Sequence, residues 1–255
     1  MNLTDIDASA LIISAIIHDF KHPGLNNNFL INSKDLLALT YNGIINFNVM
    51  IDQSVLENFH VAEAFKIINS NESFDIFNEL NKEEYKLIRK RIIDCVLATD
   101  MTMHTKEYTY LKMKLENYKG DNELKSFENF FKKLNGTELF NTQQEFLNCL
   151  IHTSDISNPT KPLKIYLQWT TKVMDEFWNQ GDKEKNLHLP ISFLCDRNTV
   201  NIPKSQIAFM EGICSPLIST VIEIFPELQF LIDNLNKNKE YFKKVRDEEE
   251  EKKIK

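Results

Sequence analysis

The sequence predicts an all-α fold, a compact multi-helix domain, and three observations carry that expectation. Of 255 residues only 6 are glycine and 7 are proline, against typical usages of about 7% and about 5%. That shortage excludes turn-rich β sandwiches and glycine-rich linkers. Apolar residues recur at three- and four-residue steps, as in Tyr85, Ile88, Ile92, Val96 and again in Leu163, Tyr166, Thr170, Val173, Phe177, which places each set on one helix face. Hydrophobic residues make up 42% of the chain, enough to build a core.

In chain order, Ala8–Ile17 is an apolar run that reads as a buried helix. It is too short to span a bilayer and follows Asp5 and Asp7 rather than a basic region. Pro23 disfavours helix at the residue before it, so the helix is expected to end at His22. Ser54 with Glu57, and Thr142 with Glu145, have capping-box spacing ahead of apolar runs. Helices are expected from Asn81 to about His104 and from Leu163 to about Trp178. Pro203 suits the first turn of a helix through Lys204–Ile224. On the order of ten helices form one expected domain over residues 1–241. The charged run Arg246–Glu251 marks 242–255 as a solvated helix end or a disordered tail. No membrane segment is expected.

The net charge is −7 and the isoelectric point about 5.5. That balance argues against a nucleic-acid partner, which calls for a basic face. It leaves room for an anionic small molecule if bound cations supply local positive charge. Cys95, Cys149, Cys195 and Cys214 form no CxxC pair and lie in apolar stretches, as free thiols in a reducing, cytoplasmic compartment do. Neither GxxxxGK[ST] nor GxGxxG occurs, so phosphate is not held by a glycine-rich loop.

Two apolar helices end in metal-binding side chains. One delivers His18 and Asp19 side by side with His22 after them, and the other ends in His152 and Asp155. Such groups at the mouth of buried helices need compensation, and a divalent cation supplies it. Imidazole with carboxylates suits zinc, manganese, iron or magnesium, and a carboxylate can bridge two ions. The plain alternative is a histidine at a helix C-terminus interacting with the dipole. Farther along, Gln206 and Phe209 are three apart on one helix face. The amide can read a purine edge and the ring can stack on it, with Val173 as the opposite wall. A core phenylalanine beside a surface glutamine is the plain alternative there.

Taken together, HDFKHPGLNN (18–27), YN (41–42), SVLEN (54–58), VLATDM (96–101), SDISNPTKPL (154–163), QWT (168–170), EFWNQGD (176–182) and KSQIAFME (204–211) resemble the catalytic domain of class I 3′,5′-cyclic nucleotide phosphodiesterases. The cAMP-specific subfamily is the nearest, and the resemblance runs from about Leu3 to Tyr241. It implies an HD-type all-helical domain with a deep pocket holding two divalent ions, Zn2+ and Mg2+ or Mn2+. His18, Asp19 and Asp155 are similar to the zinc ligands, with Asp19 also reaching the second ion. His22, Glu57, Thr99 and Asp100 resemble outer groups that orient ligands and water. Gln206 is similar to the purine-selective glutamine, and Phe209 and Val173 to its hydrophobic clamp. Asn158 matches an asparagine near the base, and Tyr166, Trp169 and Thr170 match pocket wall. The implied reaction is attack of a hydroxide bridging two metals on a cyclic nucleotide, cAMP or cGMP, releasing the 3′ oxygen to give a 5′-monophosphate. The resemblance also allows a homodimer.

Three features depart from the pattern. The family carries a His-Asn-x-x-His segment upstream, which supplies its general acid and a further zinc ligand; here 17 residues precede His18 and none is histidine. The expectation is an N-terminally truncated domain with no catalytic acid of its own. Gly43–Ile51 reads as an apolar insertion, and Lys21 stands where an acidic residue is usual; it is expected to point away if the helix persists. The readings are therefore a cyclic nucleotide phosphodiesterase, an inactive form that binds cyclic nucleotide or regulates a partner, and an HD-type phosphohydrolase acting on other nucleotides.

Overall fold

The structure is a computed structural model that describes residues 3–41, 53–120 and 131–254. Among the described residues it contains eleven α-helices and no strand, so the fold is all-α as expected. In chain order these are α1 (Asp5–Ile17), α2 (Asn27–Asn32), α3 (Leu36–Tyr41), α4 (Val55–Ile68), α5 (Lys82–Leu97), α6 (His104–Gly120), α7 (Gly136–Asp155), α8 (Leu163–Asn186), α9 (Ile202–Phe209), α10 (Ser215–Ile224) and α11 (Gln229–Ile254). The insertion at 43–51 lies outside the described residues, as does Asn42. The chain divides into two compact units, Met1–Pro23 with Lys34–Asp155 and Gly24–Ser33 with Ile156–Lys255.

In the first unit, Ala10 of α1, Val61 and Phe65 of α4, and Ile88, Ile92 and Val96 of α5 pack with Phe77 in one buried cluster. Three of the four residues in the α5 stripe are therefore core, and Tyr85 packs against their edge. Thr4 starts α1 with a capping box: its hydroxyl accepts from the Asp7 amide at 3.2 Å, and the Asp7 carboxylate accepts from the Thr4 amide at 2.9 Å. That carboxylate also receives Arg91 Nε at 2.9 Å. Arg91 is 1% exposed, so all of its donors need partners. They reach Gln144 Oε1 at 3.0 Å, the Phe140 carbonyl at 3.1 Å and Gln143 Oε1 at 3.3 Å, and the guanidinium lies 4.0 Å from the Phe140 ring centre. One side chain thus joins α1, α5 and α7.

Several expectations need correction. α1 is not buried all round: Ile12 and Ile16 are 62% and 75% exposed, because one stripe meets α5 and the opposite face does not. It ends at Ile17 rather than His22, with His18 as its C-cap and Lys21 turning the chain at φ +61°. α5 stops at Leu97, short of His104, where the Asp100 carboxylate accepts from the Thr102 amide and opens the 3-10 turn Met101–Met103. Neither expected capping box forms. Ser54 sits at φ +52° and makes no cap hydrogen bond; its hydroxyl donates to Asp100 Oδ2 at 2.7 Å instead. Thr142 is buried inside α7, which begins at Gly136. Boxes form at Thr4/Asp7 and Asn81/Glu84.

The second unit is built on α8, whose Tyr166, Thr170 and Met174 are buried. Gln180 and Glu184 are buried too, and Gln180 Oε1 accepts from the Asn26 amide at 2.9 Å at the start of α2. α9 is capped by Asn201, carries Pro203 in its first turn, and passes into the π-helical turn Met210–Cys214 before α10. By length and composition alone Ile202–Ile224 is apolar enough to cross a membrane, with mean hydropathy 1.6, a test that a buried core helix also passes. Here it is core helix, with Met210, Cys214, Leu217 and Ile218 fully buried. The charged end continues α11 through Ile254, and Asn201 and Lys204 reach its Glu249 and Glu250 at 3.1 and 2.9 Å.

Arg91→Ala leaves Asp7 buried and uncompensated, and is expected to cost about 3–5 kcal/mol by urea unfolding. The glycines of the second unit give a sharper contrast. A Cβ at Gly181 would collide with the Cys195 carbonyl, whereas one at Gly212 meets nothing within 4 Å. Gly181→Ala should lower stability by at least about 2 kcal/mol, and Gly212→Ala should leave it unchanged or raise it by up to about 1 kcal/mol. Equal melting temperatures for the two variants would contradict the packing described.

Candidate functional site

The C-terminus of α1 and the C-terminus of α7 meet in the first unit. His18 Nε2 stands 3.2 Å from Asp155 Oδ1 and 3.4 Å from Asp19 Oδ2. His18 Nδ1 donates to the Ala15 carbonyl at 2.9 Å, which fixes the ring and turns Nε2 toward the carboxylates. In the metal-free protein the His18 imidazolium is held up to about 9, chiefly by its hydrogen bond to Asp155, against the opposing effect of burial. A second group shares Asp19: ligand atoms of Asp19, His22 and His60 lie within 4.8 Å of one another, as do those of His18, Asp19 and Asp155. One imidazole and two carboxylates, with a neighbouring pair of imidazoles, form a donor set that fits divalent cations.

His60 is the residue that sequence reasoning missed. It is 1% exposed, its Nδ1 donates to the Phe20 carbonyl at 2.7 Å, and its ring stacks on His22 with centres 5.4 Å apart. Burial lowers its pKa, and its Nε2 faces Asp19 Oδ1 at 4.0 Å. The only signal in sequence was its place one turn after Glu57. Conversely His152, grouped with Asp155 in the sequence, turns away from the ligand cluster. It is fully buried, pairs through Nε2 with His104 Nδ1 at 2.9 Å, and is pushed down to about 4 by burial and by His104. Lys21 is not on a helix; its ammonium reaches Glu63 Oε2 at 2.6 Å on α4.

Of the outer groups, Asp100 is 5% exposed and accepts from Ser54 and Thr102, and Thr99 is 8% exposed with its hydroxyl donating to the Val96 carbonyl at 2.8 Å. Glu57 occupies the first turn of α4.

The second unit holds a cavity of about 130 Å3 lined by Asn158, Thr170, Val173, Met174, Phe177, Leu194, Ser205, Gln206 and Phe209. Five of these were selected from sequence as site residues. A pocket for a drug-sized ligand starts at roughly 300 Å3, so this one is sized for part of a molecule, such as a flat ring. Tyr166 is fully buried and its hydroxyl donates to Gln206 Oε1 at 2.6 Å. Asn158 is set by α11, where Asn238 donates to the Pro159 and Lys161 carbonyls at 2.7 and 2.8 Å. Trp169 lies at the edge of the α8 stripe, 49% exposed with Lys172 over its ring, outside this lining. A larger cavity, about 840 Å3 between α5, α6 and α7, contains none of the site residues selected from sequence.

Residues 1–235 match the family model described as 3′5′-cyclic nucleotide phosphodiesterase. The chain belongs to this family. Over 242 residues it is 38% identical to the probable 3′,5′-cyclic-AMP phosphodiesterase pde-4 of Caenorhabditis elegans, covering 94% of this chain and 33% of that protein. Isoform F of the Drosophila melanogaster 3′,5′-cyclic-AMP phosphodiesterase is 37% identical over 244 residues, covering 95% of this chain and 34% of that protein. The chain thus spans about a third of the length of these relatives. The phosphodiesterase domain of the RhoPDE fusion protein of the choanoflagellate Salpingoeca rosetta has a similar structure, with TM-score 0.82 and 31% identity over 98% of this chain and 72% of that chain. LmjPDEB1, solved in complex with IBMX, superposes with TM-score 0.79 and 25% identity over 96% of this chain and 67% of that one.

Within this phosphodiesterase family chain, the raised pKa of His18 has a direct consequence. The stability it contributes to the metal-free protein is complete below the ordinary histidine value of 6.5 and is lost as pH rises through about 9. Asp155→Asn removes the largest cause, so NMR titration of the metal-free variant should find the His18 pKa moved back toward 6.5. An unmoved pKa would show that the His18–Asp155 contact does not hold in solution.

Proposed function

We propose that this chain is the core of a cytoplasmic enzyme that hydrolyses 3′,5′-cyclic nucleotides, cAMP in particular, to nucleoside 5′-monophosphates. The observation that carries this reading is Asp19, which belongs to two adjoining groups of ligand-capable side chains, His18/Asp19/Asp155 and Asp19/His22/His60. His18, Asp19 and Asp155 would hold a zinc ion, and Asp19 would be shared with a second ion, magnesium or manganese. Bound there, the two ions would supply positive charge against the phosphate oxygens and an acidified water as nucleophile.

The chain's own residues do the rest. Asp100, fixed by Ser54 and the Thr102 amide, would serve with His22, Glu57 and Thr99 to orient water around bound cations. With its Nδ1 committed to the Phe20 carbonyl, His60 would offer Nε2 as a ligand to a cation shared with Asp19. Gln206 and Phe209 recognise the base, and Val173 lines the same cavity. A glutamine amide free to rotate would suit either purine. With the Tyr166 hydroxyl donating to Oε1, Nε2 is left as the outward donor and one base edge is preferred. The cyclic-AMP names of the relatives favour adenine.

A second reading, nucleotide binding without turnover, is motivated by one observation: residues 1–17 contain no histidine that could serve as general acid to the leaving oxygen. Loss of such an acid costs about 10²–10⁴-fold in rate. The two readings separate on the full-length gene product loaded with zinc and magnesium. Hydrolysis of cAMP, lowered at least about 100-fold by Asp155→Ala, supports the enzyme. Binding that depends on Gln206 and Phe209 without any hydrolysis supports the binder. Tyr166→Phe should reduce the preference between cAMP and cGMP by up to about tenfold, the worth of one hydrogen bond.

A further inference from the structure

The cavity around Gln206 has one wall that does not come from a helix. Leu194 belongs to the connection between α8 and α9, residues 187–201, and lines the cavity at φ +64°. A left-handed leucine is unfavourable and persists only where its surroundings over-determine it. Those surroundings are the last two turns of α8. Glu184, 1% exposed, accepts from the Ser192 amide at 2.7 Å through Oε2 and from the Ser192 hydroxyl at 2.5 Å through Oε1. Its Oε1 also accepts from Gln180 Nε2 at 2.9 Å, and its backbone carbonyl accepts from the Leu189 amide at 2.9 Å. One turn earlier, the bare backbone of Gly181 lets the Cys195 carbonyl pass within the space a Cβ would fill. Asp182 receives Arg197 Nη2 at 2.6 Å, and the Arg197 guanidinium lies over Trp178 at 5.6 Å. That ion pair is 54% and 43% exposed and contributes little. Glu184 is the buried carboxyl group that fixes both the backbone and the side chain of a residue two positions from Leu194.

We propose that Glu184 is a positioning residue for base recognition, holding the 187–201 connection on α8 so that Leu194 completes the lining of the cavity that Gln206 and Phe209 share. Glu184 touches no part of the cavity itself; it acts through Ser192 and Leu194. The inference rests on reading the cavity as the purine site. It also explains why Leu194 is turned inward while its neighbour Phe193, 88% exposed, faces out.

The test uses the full-length, metal-loaded protein with cAMP as probe, binding measured by calorimetry and turnover in parallel. Glu184→Gln keeps the size of the side chain and loses one acceptor toward Ser192. It should weaken cAMP binding about five- to tenfold and raise KM by the same factor with kcat within about twofold, because uniform binding is lost and the reacting centre is untouched. Leu194→Ala should do the same, and the double variant should be no worse than either alone, since the two act as one unit. Ser192→Ala, which removes only the hydroxyl donor, should shift affinity in the same direction by less and serves if Glu184→Gln folds poorly. Unchanged affinity in Glu184→Gln, fully additive losses in the double variant, or a fall in kcat at constant KM would each overturn the assignment of Glu184 while leaving the pocket in place. Wild-type protein that binds no cyclic nucleotide would overturn the purine site itself, and this inference with it.

Discussion

Burial of the Arg91 guanidinium is the constraint on which the first unit depends. A fully enclosed charge is tolerable only when each donor has a partner, since an unpaired ion there costs several kcal/mol. The partners are spread over two other helices: Asp7 on α1, and Phe140, Gln143 and Gln144 on α7. Apolar packing between α1, α5 and α7 could slide by a turn at modest cost, but this network has one register in which it is satisfied. That register sets the height at which α1 delivers His18 and Asp19 and at which α7 ends in Asp155. The ligand cluster at one end of the helices is therefore a consequence of a structural ion pair well inside them.

The second unit solves a related problem with neutral and singly charged groups. Several of its buried polar groups lie along α8, where Tyr166 holds Gln206 and Glu184 holds Ser192. Each of these bonds ends on a residue at or next to the cavity. The π-helical turn Met210–Cys214 comes directly after Phe209, and such a turn rotates the next helical segment relative to the last without ending the helix. In both units the polar interior is used to place side chains, and apolar burial to hold the helices that carry them.

Much of this was legible from the chain. The stripes of α5 and α8 follow from three- and four-residue spacing, since helical period alone decides which residues share a face. The pairing of two apolar helices ending in His18-Asp19 and Asp155 was legible because carboxylate and imidazole groups at such ends are unusual. Less could be seen where the partner is distant in sequence. Ser54 and Glu57 have the spacing of a capping box, yet the Ser54 hydroxyl goes to Asp100. Thr142 and Glu145 have the same spacing and lie inside α7. Arg91 follows Arg89 and Lys90 and looks like surface charge, while Asp7 looks like a first-turn acid. His60 is hidden in an apolar stretch, and His152 looks like a ligand although it pairs with His104.

By itself the sequence determined that this chain is helical, which faces of its main helices are buried, and which side chains have the donor types suited to metal binding and base reading. These are properties of residue type and local spacing, and local geometry fixes them. The tertiary structure alone decided that Asp19 is common to two ligand groups, that His60 joins one and His152 neither, and that Leu194 walls the cavity from a connection held by Glu184. Each of those depends on which buried polar atom finds which partner across tens of residues. That choice is made by satisfying every buried donor and acceptor at once, and no local pattern encodes it.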